Sequence, residues 1–201
     1  MKLDIATTAL LSQMAASEAP PMHELSPEEA RLIGGQMAKG YPDGPAMVSV
    51  KDVEIPARDG AKIRARVLKP SESPRGLLVF YHGGGWVLSN IDEYDTLGRQ
   101  LAKRTGCAVL MVDYRKAPEH PFPAAPNDAW EALLWANDNM AALAGRKVPL
   151  LVAGDSAGGN LAAVVCQKAK AEGGPAITLQ ILVYPVTDGA METPGYANPD
   201  N

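Results

Sequence analysis

The sequence has few cysteines, no cluster of positive charge and no long apolar run. Only Cys107 and Cys166 occur in 201 residues, both inside apolar runs. That excludes a disulfide-stapled scaffold and leads us to expect buried free thiols in a reducing compartment. The 19 lysines and arginines are scattered, the formal net charge is −4 and the isoelectric point lies near 5.4. A surface for nucleic acid or anionic membrane needs a basic stripe to meet phosphates, so neither partner is expected. Met1-Lys2-Leu3-Asp4 brings an early acid and the later apolar runs reach only strand length, so no signal peptide or membrane span is expected. There is no internal repeat and no low-complexity tract. What is present, 46% hydrophobic and 21% charged residues, suits one sizeable core rather than a disordered or collagen-like chain. The expectation is a soluble, cytoplasmic, globular protein.

Residues 1–45 read as an N-terminal helical segment and residues 46–201 as the main domain. Ser26-Pro27-Glu28-Glu29 is a capping-box pattern, with a serine cap, proline in the first turn and an acid three residues after the cap. Gly34-Gly35 and the Gly-Tyr-Pro-Asp-Gly-Pro stretch at 40–45 are expected to break that helix and form a linker. The segment is expected either to act as a lid or partner arm or to pack on the domain's rim. From Val48 the period becomes two, and alternating runs on either side of Arg58-Asp59-Gly60 predict a hairpin. Short continuous apolar runs follow at residues 77–81, 108–112, 150–153 and 177–184, as in strands buried on both faces. Helical periodicity lies between them over 90–104, opened by an Asn90-x-x-Glu93 cap pattern, over 129–143, and over 157–171. The alternation predicts an α/β fold: a mostly parallel sheet with an antiparallel N-terminal hairpin and helices on both faces.

Gly154-Asp155-Ser156-Ala157-Gly158 is a G-x-S-x-G pattern where an apolar strand ends and a helix begins. Such a turn forces the serine into strained dihedrals and admits only small residues two positions to either side. It lifts the Ser156 hydroxyl out of the backbone surface, above the unpaired N–H groups and positive dipole end of a helix. Ser156 is therefore the candidate nucleophile, with a merely tight strand-to-helix turn as the alternative. His82-Gly83-Gly84-Gly85-Trp86 directly follows the 77–81 strand. Its glycines leave N–H groups bare, as stabilising a tetrahedral oxyanion requires. A phosphate cradle competes with that reading but would want a Lys-Ser/Thr end or a G-x-G-x-x-G order, and neither is present. The histidines, His23, His82 and His120, stand far apart with no carboxylate spacing around them, so no metal is expected.

Three motifs now stand in order: His82 to Trp86, Asp113-Tyr114-Arg115-Lys116-Ala117-Pro118-Glu119-His120-Pro121-Phe122-Pro123-Ala124, and Gly154 to Asn160. Together they resemble the hormone-sensitive-lipase-like family of microbial carboxylesterases, on the α/β-hydrolase fold, over the stretch from about Val48 to Asp188. The resemblance implies Ser156 as nucleophile and an oxyanion hole at the glycine loop and Ala157. Its donors would be the N–H groups of Gly84, Gly85 and Ala157, with Gly83 counted among the oxyanion-hole residues as the one that shapes the loop. It implies that His82 supports that loop by hydrogen bonding and that residues 1–45 form a cap over the acyl pocket. The implied activity is hydrolysis of small-molecule carboxylic esters with short to medium acyl chains, through an acyl-enzyme and without an organic cofactor. An edge-strand homodimer is plausible in such a family. Asp155 and Glu119 are expected to be scaffold partners, Asp113 to hold Arg115 or the loop around it, and His120 to pair with a carbonyl or carboxylate.

In this fold the triad runs serine, acid, histidine along the chain. After Ser156 come Glu172, Asp188, Glu192 and Asp200, but no histidine. The two further strands whose loops carry the family's acid and histidine are absent too, so residues 177–184 are expected to form a raw sheet edge. The polar stretch Met191 to Asn201 resembles the family's lead into the rest of its sheet. The expectation is therefore part of a longer esterase, impaired by itself. Two alternatives stay open: a short form completed by a partner or a swapped copy, and a non-catalytic descendant that binds esters, acyl groups or a partner protein. Amide hydrolysis on the same fold is a further alternative.

Overall fold

Alternating apolar residues and one turn build the leading hairpin. β1 (Ser49–Pro56) pairs antiparallel with β2 (Lys62–Lys69), placing Val53 opposite Ala65 and Ile55 opposite Ile63. Asp59 closes the turn by accepting from the Ala61 N–H at 3.0 Å, and Gly60 takes φ +85°. These features come from a computed structural model that describes residues 3–16, 20–190 and 192–194. The expectations placed on Met1-Lys2 and on most of 191–201 lie outside the described residues.

β2 lies antiparallel to β4 (Ala108–Asp113), while β4, β3 (Leu77–Tyr81), β5 (Leu150–Asp155) and β6 (Ile177–Val183) run parallel. The sheet order is β1-β2-β4-β3-β5-β6. Alternate residues of the central strands feed two cores. Leu77, Val79, Tyr81, Val112 and Val152 meet helices α4 (Ala124–Asp138) and α6 (Ala157–Glu172) through Ala129, Leu133, Leu161 and Val165. Leu78, Phe80, Val109 and Met111 point the other way, onto Ile91 and onto Ala102 of α3 (Asp95–Thr105). The expected mixed sheet with helices on both faces is present. Among the described residues β6 pairs only with β5, and Leu179, Ile181 and Val183 are 50%, 39% and 42% exposed. No helix among the described residues is long and apolar enough to cross a membrane.

The N-terminal segment contains α1 (Ile5–Ala15) and α2 (Pro27–Ala38), the latter opened by the expected capping box between Ser26 and Glu29. α2 runs through Gly34 and Gly35, contrary to the expected break. Each interior glycine costs a helix only about 1 kcal/mol, and the Glu93 carboxylate lies 3.5 Å from where a Gly34 Cβ would sit, a snug fit for a bare backbone.

The Asn90–Glu93 pattern caps a turn rather than a helix. Asn90 Oδ1 accepts from the Asp92 and Glu93 N–H groups, and α3 begins only at Asp95. The helix expected over 129–143 starts earlier, at Ala124, and breaks at Asn139, whose side-chain amide donates to the Trp135 carbonyl. A separate turn of helix, α5 (Met140–Ala144), follows. Both thiols are unpaired, but only Cys107 is fully buried; Cys166, on the α6 face near β6, is half-buried.

Candidate active site

Ser156 stands between β5 and α6 with φ +52° and ψ −118°, a conformation that residues bearing side chains rarely adopt. Three backbone hydrogen bonds hold it there. Its N–H donates to the Val183 carbonyl at 2.9 Å, and its carbonyl accepts from Asn160 at 3.0 Å and Val186 at 3.1 Å. Sterics require the flanking glycines. A Cβ on Gly154 would strike the Gly158 carbonyl, and one on Gly158 would strike the carbonyls of Tyr81 and His82. That second approach also sets the elbow against the end of β3, where the glycine loop leaves the sheet. The Ser156 hydroxyl does not cap α6, so it is free for another partner.

In the glycine loop Gly84 and Gly85 take φ +115° and +61°, followed by Trp86 at +59°. The Gly84 carbonyl accepts from Val87 at 3.0 Å and Leu88 at 2.7 Å, folding the loop back on itself. Among the described residues the N–H groups of Gly84, Gly85 and Ala157 find no protein acceptor. Gly83, expected to shape the loop rather than to donate, differs from these three. Its N–H donates to Asp155 Oδ1 at 3.0 Å and lies 3.2 Å from the Tyr94 hydroxyl oxygen. A donor already engaged by a buried carboxylate is not free for an oxyanion, so Gly83 shapes the loop without serving it directly.

Asp155 ties the two motifs together. Besides Gly83 it accepts from the Tyr94 hydroxyl at 2.8 Å and the Tyr184 hydroxyl at 3.4 Å. Burial, together with the Asp155 carboxylate, pushes the Tyr94 hydroxyl well above its usual range, so it remains a neutral donor. Sequence reasoning missed both tyrosines. A phenol that meets its carboxylate 61 residues away in the chain leaves no local pattern to read.

His82 is 1% exposed, with Nδ1 2.7 Å from the Gly83 carbonyl. A carbonyl only accepts, so Nδ1 carries the proton. The ring stacks on Tyr114 at 4.4 Å, and the Tyr114 hydroxyl donates to the His82 carbonyl at 2.7 Å. Nε2 is 3.8 Å from Asp113 Oδ1, too far for a hydrogen bond, and has no hydrogen-bond partner among the described residues. Burial works against the Asp113 charge, but the Lys116 ammonium at 2.8 Å favours it, and the carboxyl lies below its usual value.

Arg115 is not held by Asp113. It forks onto the fully buried Asp128 of α4, at 2.6 and 2.9 Å, and reaches Asp59 at 2.8 Å. Asp128 lies in the part of α4, from Ala124, that precedes the helical periodicity readable from residue 129. Glu119 pairs with Arg31 of α2. His120 is exposed, and among the described residues its side chain has no hydrogen-bond partner, contrary to expectation. The loop carries it outward to line a cavity of about 420 Å³ with Gly85, Trp86, Phe122, Asn160 and Leu161. His23 is exposed, 3.9 Å from Glu24. No group of three or more His, Cys, Asp or Glu able to hold a metal occurs among the described residues.

The arrangement joins a strained, uncommitted serine to free N–H donors on two backbone segments, braced by one buried carboxylate. A family profile for the alpha/beta hydrolase fold matches residues 78–200. The chain is similar to the carboxylic ester hydrolase LipN of Mycobacterium tuberculosis, 50% identical over 155 residues, which are 73% of this chain and 40% of that protein. It is also similar to the ethyl acetate hydrolase of Pseudomonas putida, 35% identical over 90% of this chain and 58% of the relative. Among solved structures, the ester-hydrolase EH1AB1 from the metagenome of Lake Arreo superposes with a TM-score of 0.89 at 35% identity, over 96% of this chain and 63% of that one. The chain thus spans 40% and 58% of the two relatives' lengths.

Proposed function

The chain belongs to the alpha/beta hydrolase fold family, and on that premise we propose that it carries the nucleophile and oxyanion half of a serine carboxylesterase acting on short- to medium-chain carboxylic esters. The observation that carries the reading is Ser156 at φ +52° beside the free N–H groups of Gly84, Gly85 and Ala157. Ser156 Oγ attacks the ester carbonyl carbon, the carbonyl oxygen takes up the negative charge, and the three N–H groups hold it. Collapse expels the alcohol and leaves an acyl-serine, which water then cleaves to the acid and free serine. A base has to take the serine proton and return it to the alcohol. Among the described residues His82 is committed to Gly83 and neither His120 nor His23 hydrogen-bonds to Ser156, so this reading calls for a base that these histidines do not supply. The names of the relatives, a carboxylic ester hydrolase and an ethyl acetate hydrolase, support the ester class. Residues 1–45 act as a cap in this reading, supported by the contact of Arg31 with the segment after the glycine loop. The two unpaired cysteines support a cytoplasmic site of action, and the exposed β6 edge supports a homodimer.

Hydrolysis of p-nitrophenyl butyrate tests the reading. Without a base, the oxyanion hole and binding leave about 10³–10⁴-fold over water, so the 201-residue chain is expected to run barely above background. A longer form with a histidine after Ser156 is expected to turn the ester over readily and to lose that activity in Ser156→Ala. Turnover that survives Ser156→Ala overturns the proposal. The alternative of a non-catalytic acyl binder predicts affinity without turnover even in the longer form. Faster cleavage of an anilide than of the matched ester would point to amide hydrolysis instead.

A further inference from the structure

We propose that Arg31 is a positioning residue for the oxyanion loop, so that Gly84 and Gly85 are held in place only while α2 is docked. The inference rests on the reading of that loop as an oxyanion hole. One guanidinium makes four hydrogen bonds. Nε donates to the Val87 carbonyl at 2.7 Å, Nη2 to the Ala117 carbonyl at 2.8 Å, and Nη1 and Nη2 to the two Glu119 oxygens, each at 2.8 Å.

The two carbonyls belong to segments already joined to the loop. The Val87 N–H donates to the Gly84 carbonyl, and the Ala117 N–H donates to the Trp86 carbonyl at 2.9 Å. Arg31 therefore closes a circuit that runs from Gly84 through Val87 to the guanidinium, and back through Ala117 to Trp86. A planar fork of donors spans such a set, whereas a lysine ammonium is a single point that cannot reach all of it. Among the described residues this is the one side-chain hydrogen-bond link between α2 and the loop.

The link acts on a strained segment. Gly84, Gly85, Trp86 and Ser89 all take positive φ, and two of these four bear side chains. With Arg31 removed, the Val87 and Ala117 carbonyls lose a charged donor and the strained segment loses its outer brace. The Arg31 and Glu119 side chains are 27% and 53% exposed, so the ion pair itself contributes little. What Arg31 supplies is geometry.

Amide exchange and 15N–1H spectra of the full 201-residue chain test this directly. In Arg31→Ala, exchange at the Val87 and Leu88 amides, both bonded to the Gly84 carbonyl, is expected to speed up about tenfold or more, and the Gly84 and Gly85 cross-peaks to shift. Gly60 and Gly173, remote from the loop, serve as internal controls. Arg31→Lys should give a smaller change in the same residues, and it decides the matter if the alanine variant does not fold. Glu119→Gln, which keeps both carbonyl contacts, should have less than half the effect on a logarithmic scale. A purely structural anchor would loosen α2 amides and leave Val87 and Leu88 alone, and that outcome overturns the proposal. So does a Glu119→Gln effect as large as that of Arg31→Ala. Neither readout requires turnover, so failure of the esterase reading in the ester assay remains a separate result.

Discussion

Ser156 keeps its positive φ because atoms on both sides leave it no other path, and the glycines at 154 and 158 are part of that confinement. The two glycines of the pair Gly158 and Gly173 separate crowding from dihedral strain. A methyl group at Gly158 meets backbone carbonyls of Tyr81 and His82, which belong to a central strand end and cannot step aside. Gly173 ends α6 at φ +66°, with nothing within 4 Å of its would-be Cβ. Gly158→Ala is therefore expected to cost about 3 kcal/mol or more, the upper range for overpacking, and Gly173→Ala only about 1–2 kcal/mol of dihedral penalty. Urea midpoints of the two variants check the order, and equal losses would remove the steric account of the motif. The same contrast explains what the sequence made legible at this scale. The elbow and the glycine loop announce themselves because backbone crowding demands glycine at fixed spacing. Tyr94 and Tyr184 do not, because both meet Asp155 through packing between elements 61 and 29 residues apart in the chain.

Secondary-structure elements were readable where a local signal and the tertiary environment agreed. The Arg58-Asp59-Gly60 turn and the Ser26 capping box did agree. At Asn90 the expected helix cap closes only a turn, onto the Asp92 and Glu93 N–H groups, and α3 starts at Asp95 with Tyr94 in the cap position. The hairpin edge is then tied to α3 and its preceding turn by charge. Asp52 of β1 receives Arg64 and Arg66 of β2, and the same arginines reach Asp92, with Arg66 also meeting Asp95. Hydrogen bonds from Arg66 first, then Arg64, outweigh desolvation and lower the Asp52 carboxyl to about 2. A carboxyl depressed on folding stabilises fully above its unfolded value of 3.8, and that contribution disappears as pH falls toward about 2. Asp52→Asn is expected to flatten the fall in urea midpoint between these two pH values. At pH 7 it should cost under about 1 kcal/mol, because the pairs are partly exposed. An unchanged acid slope would show that other carboxylates govern this range.

At the scale of the whole molecule, the site and the sheet edge are mechanically one object. The Ser156 N–H is held by the Val183 carbonyl, and Val183 closes β6, whose outer side has no strand partner among the described residues. Composition gave no hint of this, since 46% hydrophobic residues is compatible with a fully covered core. The strand order does, because it leaves a seven-residue apolar strand at the edge, with Leu179, Ile181, Leu182 and Val183 all at least 36% exposed. An edge of that kind offers unpaired N–H and C=O groups along an apolar ribbon and is a template for another strand. The 201-residue chain is therefore expected to self-associate as its concentration rises. Ile181→Lys, which puts a charge in the middle of the ribbon without touching Val183, should move the sedimentation equilibrium toward monomer. If pairing occurs through β6, exchange of the Ser156 amide should also slow in the associated form of the wild-type chain, because a second strand steadies the carbonyl that holds it. A wild-type chain that sediments as a monomer at every concentration, or an Ile181→Lys chain that associates as strongly as wild type, would remove β6 as the interface and leave the elbow braced from within its own chain alone.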